Sequence, residues 1–82
     1  MKVARIRAYI LIKVTANSAR EVAANIRSLT GVESADPTTG PYDIIVVTEG
    51  KDLNDIADLV TGRLLTVREV ISAVTCSAVK TT

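Results

Sequence analysis

The feature that most constrains this chain is a change of hydrophobic period, from two residues to about 3.6 and back, met twice along its length. From Ile6 to Val14 the even positions Ile6, Ala8, Ile10, Ile12 and Val14 are all apolar, while the odd positions run Arg7, Tyr9, Leu11, Lys13. Strict alternation with β-branched residues predicts a strand. Asn17-Ser18 then opens a helix, with Ser18 and Glu21 at capping-box spacing. Val22, Ile26 and Leu29 form one face of it, flanked by Ala19 and Ala23, and Gly31 stands where a left-handed cap is wanted. Val32–Thr39 predicts a second strand, in which Pro37 marks an edge, a bulge or the end. Thr39-Gly40-Pro41 turns the chain, and Tyr42–Glu49 returns as a third strand. Tyr42, Ile44, Val46 and Thr48 fall on one side of it, with Asp43, Ile45, Val47 and Glu49 on the other. Asp52 is placed to cap a second helix, whose apolar stripe is Leu53, Ile56, Val60 and Leu64, widened by Ala57 and ending between Gly62 and Thr66. Val70–Val79 forms the last strand, with Val70, Val74, Cys76 and Ala78 set against Ile71, Ala73, Thr75, Ser77 and Val79.

The order is βαββαβ, an α+β arrangement in which two strand–helix–strand crossovers are joined by a hairpin. That is the ferredoxin-like split, a four-stranded antiparallel sheet with both helices on one face. Its 82 residues make one domain, 1–82, near the low end for a self-sufficient core. The strand segments Tyr9–Leu11, Ile45–Val47 and Ile71–Val79 are apolar on both sides of the pleat. A sheet with one face in water alternates cleanly, so the uncovered face is expected to be an interface. Several aliphatic side chains at about 1.5–3 kcal/mol each would supplement the small core. The expectation is a homodimer packed sheet to sheet, of the dimeric α/β-barrel type.

Composition narrows the chemistry. With no His and one Cys, the chain lacks His-based acid–base catalysis, Cys/His metal sites and an internal disulfide. Ten basic against nine acidic residues argue for no polyanion partner. No apolar run approaches the roughly 20 residues of a membrane span, and the basic start leads directly into alternation rather than a cleavable signal. A cytoplasmic protein without a cofactor is expected.

Few side chains are left as candidates. Cys76 lies among strand residues and has no His to activate it, so it reads as a small buried hydrophobe. Asp52, Asp55 and Asp58 recur at helical spacing, which suits a divalent ion on paper and a solvated helix N-terminus more readily. The basic first strand lacks interleaved aromatics for a nucleic-acid platform. The turn Thr39-Gly40-Pro41-Tyr42-Asp43 offers more. Gly40 permits a turn that exposes main-chain N–H groups, and Asp43 follows with an anionic acceptor. A free amino acid needs both, for its carboxylate and its ammonium, although glycine and aspartate are also ordinary turn residues.

The run Gly40-Pro41-Tyr42-Asp43-Ile44-Ile45-Val46-Val47, followed by Glu49 and Lys51-Asp52-Leu53, resembles the effector-binding (RAM) domain of the Lrp/AsnC regulators. The last strand, Val70-Ile71-Ser72-Ala73-Val74-Thr75-Cys76, is similar to that family's closing Val-x-x-Thr-x-Thr run, with Ala73 replacing one threonine. The likeness extends from about Ala8 to Val79. It implies a βαββαβ fold, dimers formed through the sheets, and ring-like assemblies such as an octamer or larger. It also implies an amino-acid effector held between dimers. By motif position Gly40, Tyr42 and Asp43 supply the turn part of that site, and Thr75 and Ser77 the last-strand hydroxyls. Only a handful of residues precede the first strand, so the resemblance is to a stand-alone form without the helix-turn-helix, with no direct nucleic-acid or membrane contact.

The reading is therefore an amino-acid-binding, oligomer-forming regulatory module and not an enzyme. It would act through effector-sensitive assembly, with itself and with a full-length Lrp/AsnC-type regulator as partners. Two other classes stay open. One is a small dimeric ferredoxin-like enzyme of the monooxygenase or isomerase type, resting on Tyr9, Tyr42 or a carboxylate. The other is an interaction module without a ligand.

Overall fold

The computed structural model describes residues 5–78. Its elements are β1 (Ile6–Val14), α1 (Ala19–Arg27), β2 (Val32–Pro37), β3 (Ile44–Gly50), α2 (Leu53–Leu59), a π-helical turn (Val60–Leu64) and β4 (Val70–Ser77). The sheet order is β2-β3-β1-β4 with every neighbouring pair antiparallel, the ferredoxin-like arrangement. Ile10, at the middle of β1, stands opposite Val46 of β3 and Thr75 of β4.

Alternation in β1 and β3 decides which side is core. Ala8, Ile10, Ile12 and Val14 point with Ile44, Val46 and Thr48 towards the helices, and all are buried. From α1 the covering residues are Val22, Ala23 and Ile26, and from the second helical segment Ile56, Val60 and Leu64. Thr48, the one buried polar side chain among the described residues, donates its hydroxyl hydrogen to the Gly31 carbonyl. Gly31 adopts the left-handed conformation expected of it, with φ +93°.

Four local expectations are corrected. Ser18 occupies the N-cap position without capping through its side chain; its hydroxyl pairs instead with Thr15 Oγ1 at 2.8 Å. The second helix ends between Gly62 and Thr66 as expected, but in a wider turn, in which Leu65 N–H bonds the Val60 carbonyl, an i→i−5 closure at 2.8 Å. That wider turn keeps Ile56, Val60 and Leu64 on the core side, while Leu53 is 57% exposed and lies outside the core stripe. The third strand starts at Ile44, which leaves Tyr42 and Asp43 in the turn. In β4 the register shifts between Lys13 and Val14 of β1, so Val70 pairs with Val14 and packs against the core beside Ala73. Ile71 is the unpaired residue and is exposed. The predicted strand end at Val79 lies outside the described residues.

Candidate functional site

The β2–β3 turn is fastened to β1 by main-chain and side-chain bonds. Thr38 N–H donates to the Asp43 carbonyl and Asp43 N–H to the Ile12 carbonyl, both at 2.8 Å. Thr38 Oγ1 donates to the Tyr42 carbonyl at 2.8 Å. The Asp43 carboxylate accepts Val14 N–H through Oδ2 at 2.9 Å, leaving Oδ1 for a second donor. At the tip Gly40 has φ +114°, with nothing within 4 Å of the position a Cβ would take. A side chain there would meet no neighbour and suffer only backbone strain. Tyr42 and Asp43 are half-buried, whereas Gly40 is exposed.

Thr75 and Ser77 sit elsewhere. They pair with Ile10 and Ala8 in the β1–β4 register and so share the helix-side face of the sheet. Because β4 is an edge strand, the helices leave them exposed. Together with Leu53, Ile56, Ala57, Val60 and Thr61 they line a groove of about 230 Å3 between α2 and the sheet edge. The Thr61 hydroxyl donates to the Ala57 carbonyl at 2.9 Å. The helical wall of this groove escaped the sequence reading, which assigned Leu53 to the core. Its stripe position carries no sign that it faces the groove beside the edge strand.

One protomer does not bring the two sets together. Asp43 bonds β1 at Ile12 and Val14, three residues along the strand from Ile10 and five from Ala8. It also lies on the opposite side of β1 from β4. With about 3.4 Å per residue and about 4.8 Å between strands, Asp43 is about 14 Å from Thr75 and about 20 Å from Ser77. No single free amino acid spans both.

The acidic helix start has a structural use. Asp55 N–H donates to Asp52 Oδ1 at 3.0 Å, which caps the helix, and Lys51 N–H donates to Asp55 Oδ2 at 2.8 Å. Among the described residues no group of three or more His, Cys, Asp or Glu is placed to hold a metal ion. Asp55, Asp58 and Arg63 line a separate polar trough of about 380 Å3 with Ser28, Leu29, Thr30 and Leu59, between the end of α1 and the second helix.

The other face of the sheet carries no helix. Tyr9 and Leu11 of β1, Ile45 and Val47 of β3, and Val74 and Cys76 of β4 make its centre, with Tyr9 39% and Val74 42% exposed. Cys76 is exposed there opposite Tyr9, which corrects its reading as a buried hydrophobe. Ion pairs stand at the rim: Arg7 to Glu33 at 2.7 Å and Arg5 to Glu49 at 3.5 Å. An apolar centre within a charged rim has the anatomy of a protein interface.

Comparison with known proteins gives the family of this fold. The model of the Lrp/AsnC ligand binding domain matches residues 7–82. The fold is similar to that of TTHA0845 from Thermus thermophilus, at 28% identity and a TM-score of 0.88, over 94% of this chain and 96% of that one. It is similar to a transcriptional regulator from Neisseria meningitidis solved as an L-Met complex, at 28% identity and a TM-score of 0.81. That match takes in 92% of this chain and 50% of the regulator. Escherichia coli AsnC shares the fold, with 22% identity and a TM-score of 0.85 over 93% of this chain and 52% of its own. A search of curated protein sequences finds no match. With the family model spanning all but the first six residues, the chain belongs to the Lrp/AsnC ligand-binding domain family.

Proposed function

We propose that this chain is an amino-acid-responsive module that assembles through its open sheet face and regulates through that assembly. The observation that carries this reading is the separation of Asp43 from Thr75 and Ser77 in one protomer. A site that uses both the turn and the last strand needs two copies of the chain. An effector bound there favours the assembled state by the difference in its affinity for assembled and separate protomers. Gly40 and Tyr42 would offer main-chain N–H groups to the effector's carboxylate, Asp43 Oδ1 would take its ammonium, and Thr75 with Ser77 would supply hydroxyls.

The family and the L-Met complex of the Neisseria regulator support an amino-acid effector. The apolar open face supports a sheet-to-sheet dimer, and dimers joined by effectors build a larger ring. The same face suits a full-length Lrp/AsnC-type regulator as a partner in the cytoplasm. An enzymatic reading finds less support, because Tyr9 lies on the flat open face and Tyr42 in the turn, neither lining the groove or the trough.

The test is a thermal-shift screen with the twenty amino acids, followed by light scattering on each hit. Selective stabilisation by at least one amino acid, with a change in mass, is the expected result. A stable oligomer that no amino acid stabilises at millimolar concentration contradicts the effector and leaves an interaction module.

A further inference from the structure

We infer that the effector carries an uncharged, apolar side chain, seated in the groove between α2 and the β4 edge; this rests on the effector reading above. Among the described residues the groove is lined by Leu53, Ile56, Ala57, Val60, Thr61, Thr75 and Ser77, none of them ionisable. Ile56 and Val60 are buried and give it a floor held by the core. Thr61 gives its hydroxyl hydrogen to the Ala57 carbonyl, so it offers a ligand its methyl and an acceptor oxygen but no donor. Among the described residues the side-chain donors left are the hydroxyls of Thr75 and Ser77, on the strand side. A charged side chain placed here would shed water against aliphatic walls and meet no opposite charge among the described lining residues of its own protomer, which is unfavourable. An aliphatic or thioether side chain would gain by burial on the same walls.

The contrast with the polar trough sharpens the assignment. Asp55, Asp58 and Arg63 would suit a charged ligand, but they line a different cavity, one to which neither Thr75 nor Ser77 contributes. At about 230 Å3 the groove is also smaller than the roughly 300–1,000 Å3 of a drug-sized pocket, in keeping with one small side chain.

The experiment is calorimetric titration of the full chain with L-leucine, L-methionine, L-aspartate, L-lysine and L-asparagine, repeated on two variants. Leucine or methionine is expected to bind, and the other three to bind at least about tenfold more weakly. Ala57→Glu, at an exposed helical position, puts a charge on the groove wall and is expected to weaken the apolar ligand by at least about tenfold. Asp58→Asn, in the trough, is expected to leave the affinity unchanged. Preferential binding of aspartate, lysine or asparagine overturns the apolar assignment while the effector reading stands. An apolar ligand lost in Asp58→Asn and kept in Ala57→Glu overturns the groove as its seat. Binding of none of the five, together with no hit among the remaining amino acids, overturns the effector reading and the inference with it.

Discussion

Asp43 reaches across from the β2–β3 turn to hold the first strand, its Oδ2 accepting the main-chain N–H of Val14 at 2.9 Å. The residue is thus structural and available at once: one oxygen fixes the turn to the sheet, and the other remains for a cationic group. Asp43→Ala leaves the half-buried Val14 donor unpaired and should cost about 1–2 kcal/mol in urea unfolding. Asp43→Asn keeps an acceptor oxygen and should cost less than about half of that. Both should weaken amino-acid binding, because neither carries the charge. Equal stabilities for the two variants would show that the Val14 bond contributes nothing.

Val47 lies near the centre of the open face, between the pairings to Tyr9 and to Ser34. Val47→Lys places a charge in the proposed interface without touching the helix side. Sedimentation should show the assembled mass fall to that of a protomer, with the far-ultraviolet circular dichroism retained. Unchanged mass would mean that copies associate by another surface.

The Asp52 cap gives a purely structural prediction. Its carboxylate accepts Asp55 N–H at 3.0 Å, and Asp52→Ala should destabilise the fold by about 0.5–2 kcal/mol, measured by chemical denaturation. Binding and assembly should be unaffected once the variant is folded.

At Gly40 the backbone, with φ +114°, sits where residues with a side chain are strained, while the space around it is open. Gly40→Ala should therefore cost about 1–2 kcal/mol of stability from conformation alone. A neutral substitution would indicate that the turn relaxes to another conformation.

Much of this architecture was legible in the sequence because one physical signal dominates it. Alternation in Ile6–Val14 and Ile44–Gly50 identifies the buried side of the two central strands, and period-3.6 stripes identify the helices that cover it. The same alternation, apolar on its second side at Leu11, Ile45 and Val47, announces the open face. What escaped the sequence depends on where an element ends relative to its neighbours. Leu53 has the period of a core residue and is exposed because it faces the groove beside the edge strand β4. Cys76 has the composition of a buried strand residue and faces outwards because its register partner is Tyr9. Ser18 has capping-box spacing, yet its hydroxyl finds Thr15 instead. The turn residues of the candidate site were legible from their chemistry; the distance between Asp43 and Thr75 required the sheet order.

The most direct test of the central claim, a site shared between copies, is subunit complementation. Asp43→Asn and Thr75→Val variants are each titrated with the amino acid that stabilises the wild-type chain, then mixed, unfolded together and refolded. Each variant alone should bind too weakly to fill its sites at the concentration that saturates the wild-type chain. In a random mixture of equal parts, about one site in four draws its turn and its last strand from unaltered halves, so about a quarter of the wild-type stoichiometry should return. Failure of the mixture to bind at all, with both variants folded and assembled, would contradict a site built between protomers.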